Sequence, residues 1–166
     1  MEKRGTARIS GRPPAEASVL KLIVLDEEDL AVVSANLQDA VVRVGDMAFL
    51  PKSGRFALML GRFDWIGAEK GLCERRHTGL HFERVRRAAV AGFDQRAGET
   101  VLNLLSIGFE PGDAPAGAVV LTFSGGAAVR LDVECLEAEM HDLGDCWPAA
   151  HRPGHQLDDP EQECSP

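Results

Sequence analysis

The stretch VVLTFSGGAAVRLDVE, residues 119–134, restricts the possible folds more than any other. Val119, Leu121 and Phe123 alternate with Val120 and Thr122. Val129, Leu131 and Val133 alternate with Arg130, Asp132 and Glu134. Period two puts one side-chain set on a core face and the other towards solvent. Ser124-Gly125-Gly126-Ala127 lies between the runs, and paired glycines supply the positive φ of a tight hairpin turn. The stretch therefore predicts an antiparallel β-hairpin.

The same period recurs upstream. Leu20–Val24, Val41–Val44, Met47–Leu50, Arg55–Trp65, Leu80–Ala91 and Val101–Phe109 read as strands. Lys52-Ser53-Gly54 reads as a hairpin turn, and 66–79 as a polar loop. One helix stands out. Asp26-Glu27-Glu28-Asp29 places acids where a helix N-terminus attracts them, and Leu30, Val33 and Leu37 form one stripe, predicting a helix over roughly 27–38. Two readings compete at 136–143. Leu136, Met140 and Leu143 at helical spacing, with Gly144 as C-cap, give a short C-terminal helix. Leu136, Ala138 and Met140 in alternation give a strand after a bulge. Helix propensity favours the helix. The fold class is α+β: a mainly antiparallel sheet or partly closed barrel with one N-terminal helix.

A chain of 166 residues, 45% hydrophobic, has enough apolar mass for one buried core. Residues 1–17 read as an unstructured leader, 18–150 as one globular domain, and 151–166 as an acidic flexible tail. The net charge of −8 is concentrated at the C-terminal end. Residues 1–133 balance 17 bases against 17 acids, whereas 134–166 set Arg152 against nine acids. That tail disfavours DNA and anionic membrane nearby. Aromatic content of 5% is low for a base-stacking surface. No apolar run reaches the length of a membrane span. Without a secretory leader, the four cysteines read as reduced thiols of a cytoplasmic protein.

The path LKLIVLDEEDLAVVSANLQDAVVRVGDMAFLP, GRFDW, ERRHTGLHFERV and LTFSGGAAVRLDVECLEAEMHDLG, with the tryptophan that follows, resembles an uncharacterised alphaproteobacterial family, domain of unknown function 2948, over about residues 19–155. The resemblance implies a bacterial cytoplasmic setting, its genes often lying beside that for histidinol dehydrogenase. It assigns no reaction and brings no catalytic residues.

Four groups could carry chemistry. His141, Cys146, His151 and His155 are zinc ligands in kind, but their spacing matches no common zinc site and Pro153-Gly154 breaks the last pair. No metal or cofactor is expected. Cys73, next to Arg75, Arg76 and His77, is the best nucleophile of a thiol enzyme; that enzyme, or a metal-dependent one at the C-terminal group, is the alternative to a binding module. Arg75, Arg76, Arg84, Arg86 and Arg87 form a cluster suited to an anionic partner. Its competing explanation is pairing with Glu74, Glu83 and other acids, or with the acidic tail folded back. Trp65 and Trp147 could line a pocket or pack at the core edge. The expectation is a non-enzymatic binding or interaction module with a protein or anionic partner, and homo-oligomerisation through a sheet edge is open to it.

Overall fold

The computed structural model describes residues 19–154 and Cys164. The expected leader, and the tail apart from Cys164, lie outside the described residues. Among the described residues ten strands form one antiparallel sheet. They are β1 (Lys21–Val24), β2 (Val41–Arg43), β3 (Met47–Leu50), β4 (Arg55–Phe63), β5 (Glu74–Phe82), β6 (Val85–Ala91), β7 (Val101–Pro111), β8 (Gly117–Phe123), β9 (Ala128–Val133) and β10 (Ala138–Pro148). Their spatial order is β1-β10-β5-β4-β2-β7-β8-β9-β6, with β3 also on β4. Among the described residues the sheet does not close, and β1 and β6 are its ends.

Helix α1 (Glu27–Asn36) begins where the acids predict. The Asp26 side chain caps it by accepting the Asp29 N–H at 2.8 Å. Leu30 and Val33 are buried, and the Ser34 hydroxyl oxygen accepts the Ile107 N–H at 2.9 Å, tying the helix to β7. The predicted hairpin at Ser124–Gly126 joins β8 to β9, with Gly125 and Gly126 both at positive φ. Inward residues of both runs, among them Val119, Leu121, Phe123, Val129 and Leu131, are in the core.

Three expectations need correction. The polar stretch 66–79 is not a loop: it holds a short helix, α2 (Trp65–Glu69), and then most of β5, which starts at Glu74. The run 80–91 is not one strand. It breaks at Glu83-Arg84, where Arg84 takes φ 58°, and β6 leaves to pair with β9. Arg84 and Arg86 therefore do not continue the face of Leu80 and Phe82. Finally, 138–148 is a strand, not a helix. β10 lies between β1 and β5, and Gly144 at φ 90° serves a bulge between Asp142 and Cys146 instead of a helix cap. Backbone bonds to two neighbours outweigh helix propensities that differ by less than about 1 kcal/mol per residue.

Candidate functional site

Alternation along β4, β5 and β10 sorts the polar residues onto the two faces of the sheet. The inward face of β4 carries Phe56, Leu58, Leu60 and then Arg62. The inward face of β5 carries Phe82, Leu80, Thr78 and Arg76. The core is thus apolar at one end and charged at the other. Arg62 donates from Nε and Nη2 to the Asp142 carboxylate at 2.8 and 2.6 Å, and the Thr78 hydroxyl and the Leu20 N–H also donate to it. Arg76 donates from Nε to Asp64 at 2.8 Å, and Asp64 also caps α2 by accepting the Gly67 N–H. Burial by itself would raise the Asp142 and Asp64 pKa values. Arg62, the Leu20 N–H and Thr78 outweigh it at Asp142, and the Gly67 N–H with Arg76 and Arg62 does so at Asp64, so both carboxyls end below the usual range. Arg76 is desolvated too, but Asp64, Cys146 and Glu74 raise its pKa. This network is structural in character: its charges are paired and its side chains are buried.

The outward face is different. Arg75, His77, Gly79 and His81 alternate along β5 beside Gly61, Met59 and Ala57 of β4. After the β10 bulge, Trp147 comes opposite Arg75. Its indole crosses β5 and lies on Gly61, where a Cβ would meet Cζ2 at 3.2 Å. The His77 ring lies 4.4 Å from it, centroid to centroid, tilted by 53°. Arg75 reaches towards β4 as well. Its Nη1 donates to the carbonyl oxygens of Gly61 at 3.1 Å and Asp39 at 3.3 Å. Burial lowers the Arg75 pKa and Asp39 partly restores it; an arginine keeps its charge regardless. Trp147, His77, Arg75 and Gly61, with Met59 and the ion pair of Arg43 and Asp46, line a pocket of about 300 Å³. That volume is at the small end of the range for ligand sites.

The five arginines of the sequence cluster do not converge. Arg75 lines this pocket. Arg76 is buried in the Asp64 network, and its Nη1 has no hydrogen-bond partner among the described residues. Arg84 and Arg86 line a separate cleft of about 960 Å³, where the chain crosses between β5 and β6. In that cleft Arg84 pairs with Glu137 at 3.5 Å, Arg86 with Glu134 at 3.3 Å and Arg55 with Glu83 at 2.7 Å. Arg87 is exposed on the sheet-end strand β6. Acids on neighbouring segments thus match most of the cluster.

The sequence alternatives fare as follows. Cys73 is joined to Cys164 in a disulfide, with Cα atoms 5.7 Å apart, so in this state it is not a free thiol; Cys135 and Cys146 are free. The expectation of four reduced thiols is corrected accordingly. Among the described residues no three His, Cys, Asp or Glu side chains are grouped to hold a metal. His141 points outward from β10, Cys146 lies beyond the bulge opposite Arg76, and His155 is outside the described residues. Trp147 covers a sheet face rather than filling the core. Trp65 makes an edge contact with Phe63 at 4.7 Å, and its Nε1 is buried with no hydrogen-bond partner among the described residues. No helix among the described residues is long and apolar enough to cross a membrane.

A family model for proteins of unknown function, DUF2948, matches residues 20–155, from the start of β1 to beyond Trp147. The chain belongs to the DUF2948 family. Neither a curated protein nor a solved structure matches it. The match spans β1, α1, the buried ion network and the Arg75–Trp147 pocket, so these are parts of one DUF2948 domain.

Proposed function

We propose that this DUF2948 domain is a binding module, without catalysis of its own, and that it takes a small planar anion in the pocket between Arg75 and Trp147. One observation carries the reading: Arg75 Nη1 donates to two backbone carbonyls, which holds the guanidinium at the pocket that Trp147 also lines. A positioned guanidinium is suited to a carboxylate or phosphate, and Trp147 with His77 gives ring surface for stacking. The larger cleft at Arg84 and Arg86 fits an anion less well. Its arginines already face glutamates, so an incoming anion would have to displace them.

The chain has two tryptophans, so a Trp65→Phe variant leaves Trp147 as the only indole. Its emission should respond saturably to benzoate. Cyclohexanecarboxylate, which keeps the charge without the flat ring, and benzamide, which keeps the ring without the charge, should each bind about tenfold more weakly, a difference of about 1.4 kcal/mol. A response equal for all three, or absent for benzoate, would contradict the proposal.

A further inference from the structure

The end strand β1 has β10 on one side and no strand on the other among the described residues. The Asp142 N–H donates to the Leu20 carbonyl at 2.9 Å, so the backbone of Leu20 faces β10. Antiparallel alternation then turns Leu22 and Val24 the same way and leaves the N–H and C=O groups of Lys21 and Ile23 at the open edge. The outward face of this stretch carries Val19, Ile23 and Leu25, which are 49%, 58% and 68% exposed. Proteins commonly blunt a free edge with charge, proline or a bulge. β6, at the other end of the sheet, has exposed Arg86 and Arg87. β1 has only Lys21, which is drawn to Glu139 at 3.4 Å, and its pairing with β10 has no bulge.

We infer that β1 pairs with β1 of a second copy of this chain, antiparallel about a two-fold axis at Leu22. The residues select this register. An axis at Lys21 sets two lysines directly opposite each other, which is unfavourable. An axis at Ile23 sets Lys21 against Leu25, whose N–H is already committed to the Asp29 carboxylate at 3.0 Å. An axis at Leu22 pairs Lys21 with Ile23 of the second copy, and the reverse, so the outward N–H and C=O groups of both residues are satisfied on each chain. It also lays Val19 against Leu25 of the second copy on the outer face. Lys21 then stands in one cross-strand row with Ile23 and Glu139 of the second copy, since Glu139 is the β10 partner of Ile23. The interface is isologous, as a closed two-fold dimer requires.

The full chain, with the exposed Cys146 alkylated so that it cannot cross-link and the Cys73–Cys164 bridge intact, is examined by sedimentation velocity from low to high micromolar concentration. The wild type should form a dimer. Ile23→Asp should raise its dissociation constant at least about tenfold, whereas Val101→Asp, at an exposed apolar position on β7, should leave it unchanged. Hydrogen exchange on the wild type gives a second measure that does not depend on a variant folding: the Lys21 and Ile23 amides should be protected at high concentration and exchange freely at low. A wild type that stays monomeric, or a dimer in which these amides remain unprotected, overturns the inference.

Discussion

Arg62 and Asp142 meet through two side-chain hydrogen bonds, Nε to Oδ1 at 2.8 Å and Nη2 to Oδ2 at 2.6 Å, and both side chains are buried. They lie 80 residues apart, on β4 and β10, with Thr78 of β5 bonded to the same carboxylate. The pair therefore spans three adjacent strands. Removing Asp142 leaves a buried guanidinium whose remaining contacts among the described residues are the Phe63 carbonyl and the more distant Asp64. Asp142→Ala should cost roughly 3–5 kcal/mol, the range for breaking one partner of a buried pair. Urea denaturation of the variant and the wild type reads this directly.

The same network sets an acid dependence. Asp142 and Asp64 have pKa values lowered in the folded state, so each contributes stability that is fully present above the unfolded aspartate pKa of about 3.9. That contribution is lost as pH falls below this value and through the folded pKa. The stability gap between wild type and Asp142→Asn should therefore be widest near neutral pH and should narrow as pH falls below about 4. Denaturation midpoints across that range would show it; a constant gap would mean the carboxylate charge plays no part.

Little of this network could be read in the sequence, for a physical reason. Inward positions of β5 are Arg76, Thr78, Leu80 and Phe82, so hydrophobic alternation begins only at Leu80 and the first half of the strand reads as a polar loop. A charged inward layer is satisfied by partners on other strands, and those partners are invisible along the chain. Residues 136–143 were ambiguous because Glu, Ala, Leu and Met suit a helix while the alternation suits a strand; pairing with β1 and β5 decides. By contrast, α1 and the β8–β9 hairpin were legible because their signals are local: acids and Asp26 at the helix start, and two glycines at the turn. Within the pocket, Arg75, His77 and Trp147 each drew notice in the sequence. Gly61 gave no such signal, since its part is to leave room for an indole brought there by β10.

Gly61 gives the next prediction. Gly61→Val should push Trp147 off the sheet, because even a Cβ would lie within 3.3 Å of two indole carbons. Benzoate binding should weaken by about tenfold or more, and Trp147 emission should shift towards that of a solvated indole. Equilibrium titration and the emission spectrum of the ligand-free variant read the two effects separately.

The disulfide between Cys73 and Cys164 links the start of β5 to a residue 91 positions away. Intact mass after mild oxidation should be two hydrogens below that of the reduced chain. Alkylation without reductant should then label Cys135 and Cys146 and spare Cys73 and Cys164. Labelling of Cys73 under those conditions would show that the bridge does not form in solution.

The central claim concerns Arg75 and Trp147 together, and a nuclear magnetic resonance titration observes both at once. Benzoate added to ¹⁵N-labelled protein should move the Arg75 Nε–Hε and Trp147 Nε1–Hε1 signals along one saturation curve, leave the buried Trp65 indole signal in place, and lose its effect on Trp147 in Arg75→Gln. Shifts centred on Arg84 and Arg86, or a Trp147 response unchanged by Arg75→Gln, would contradict the account.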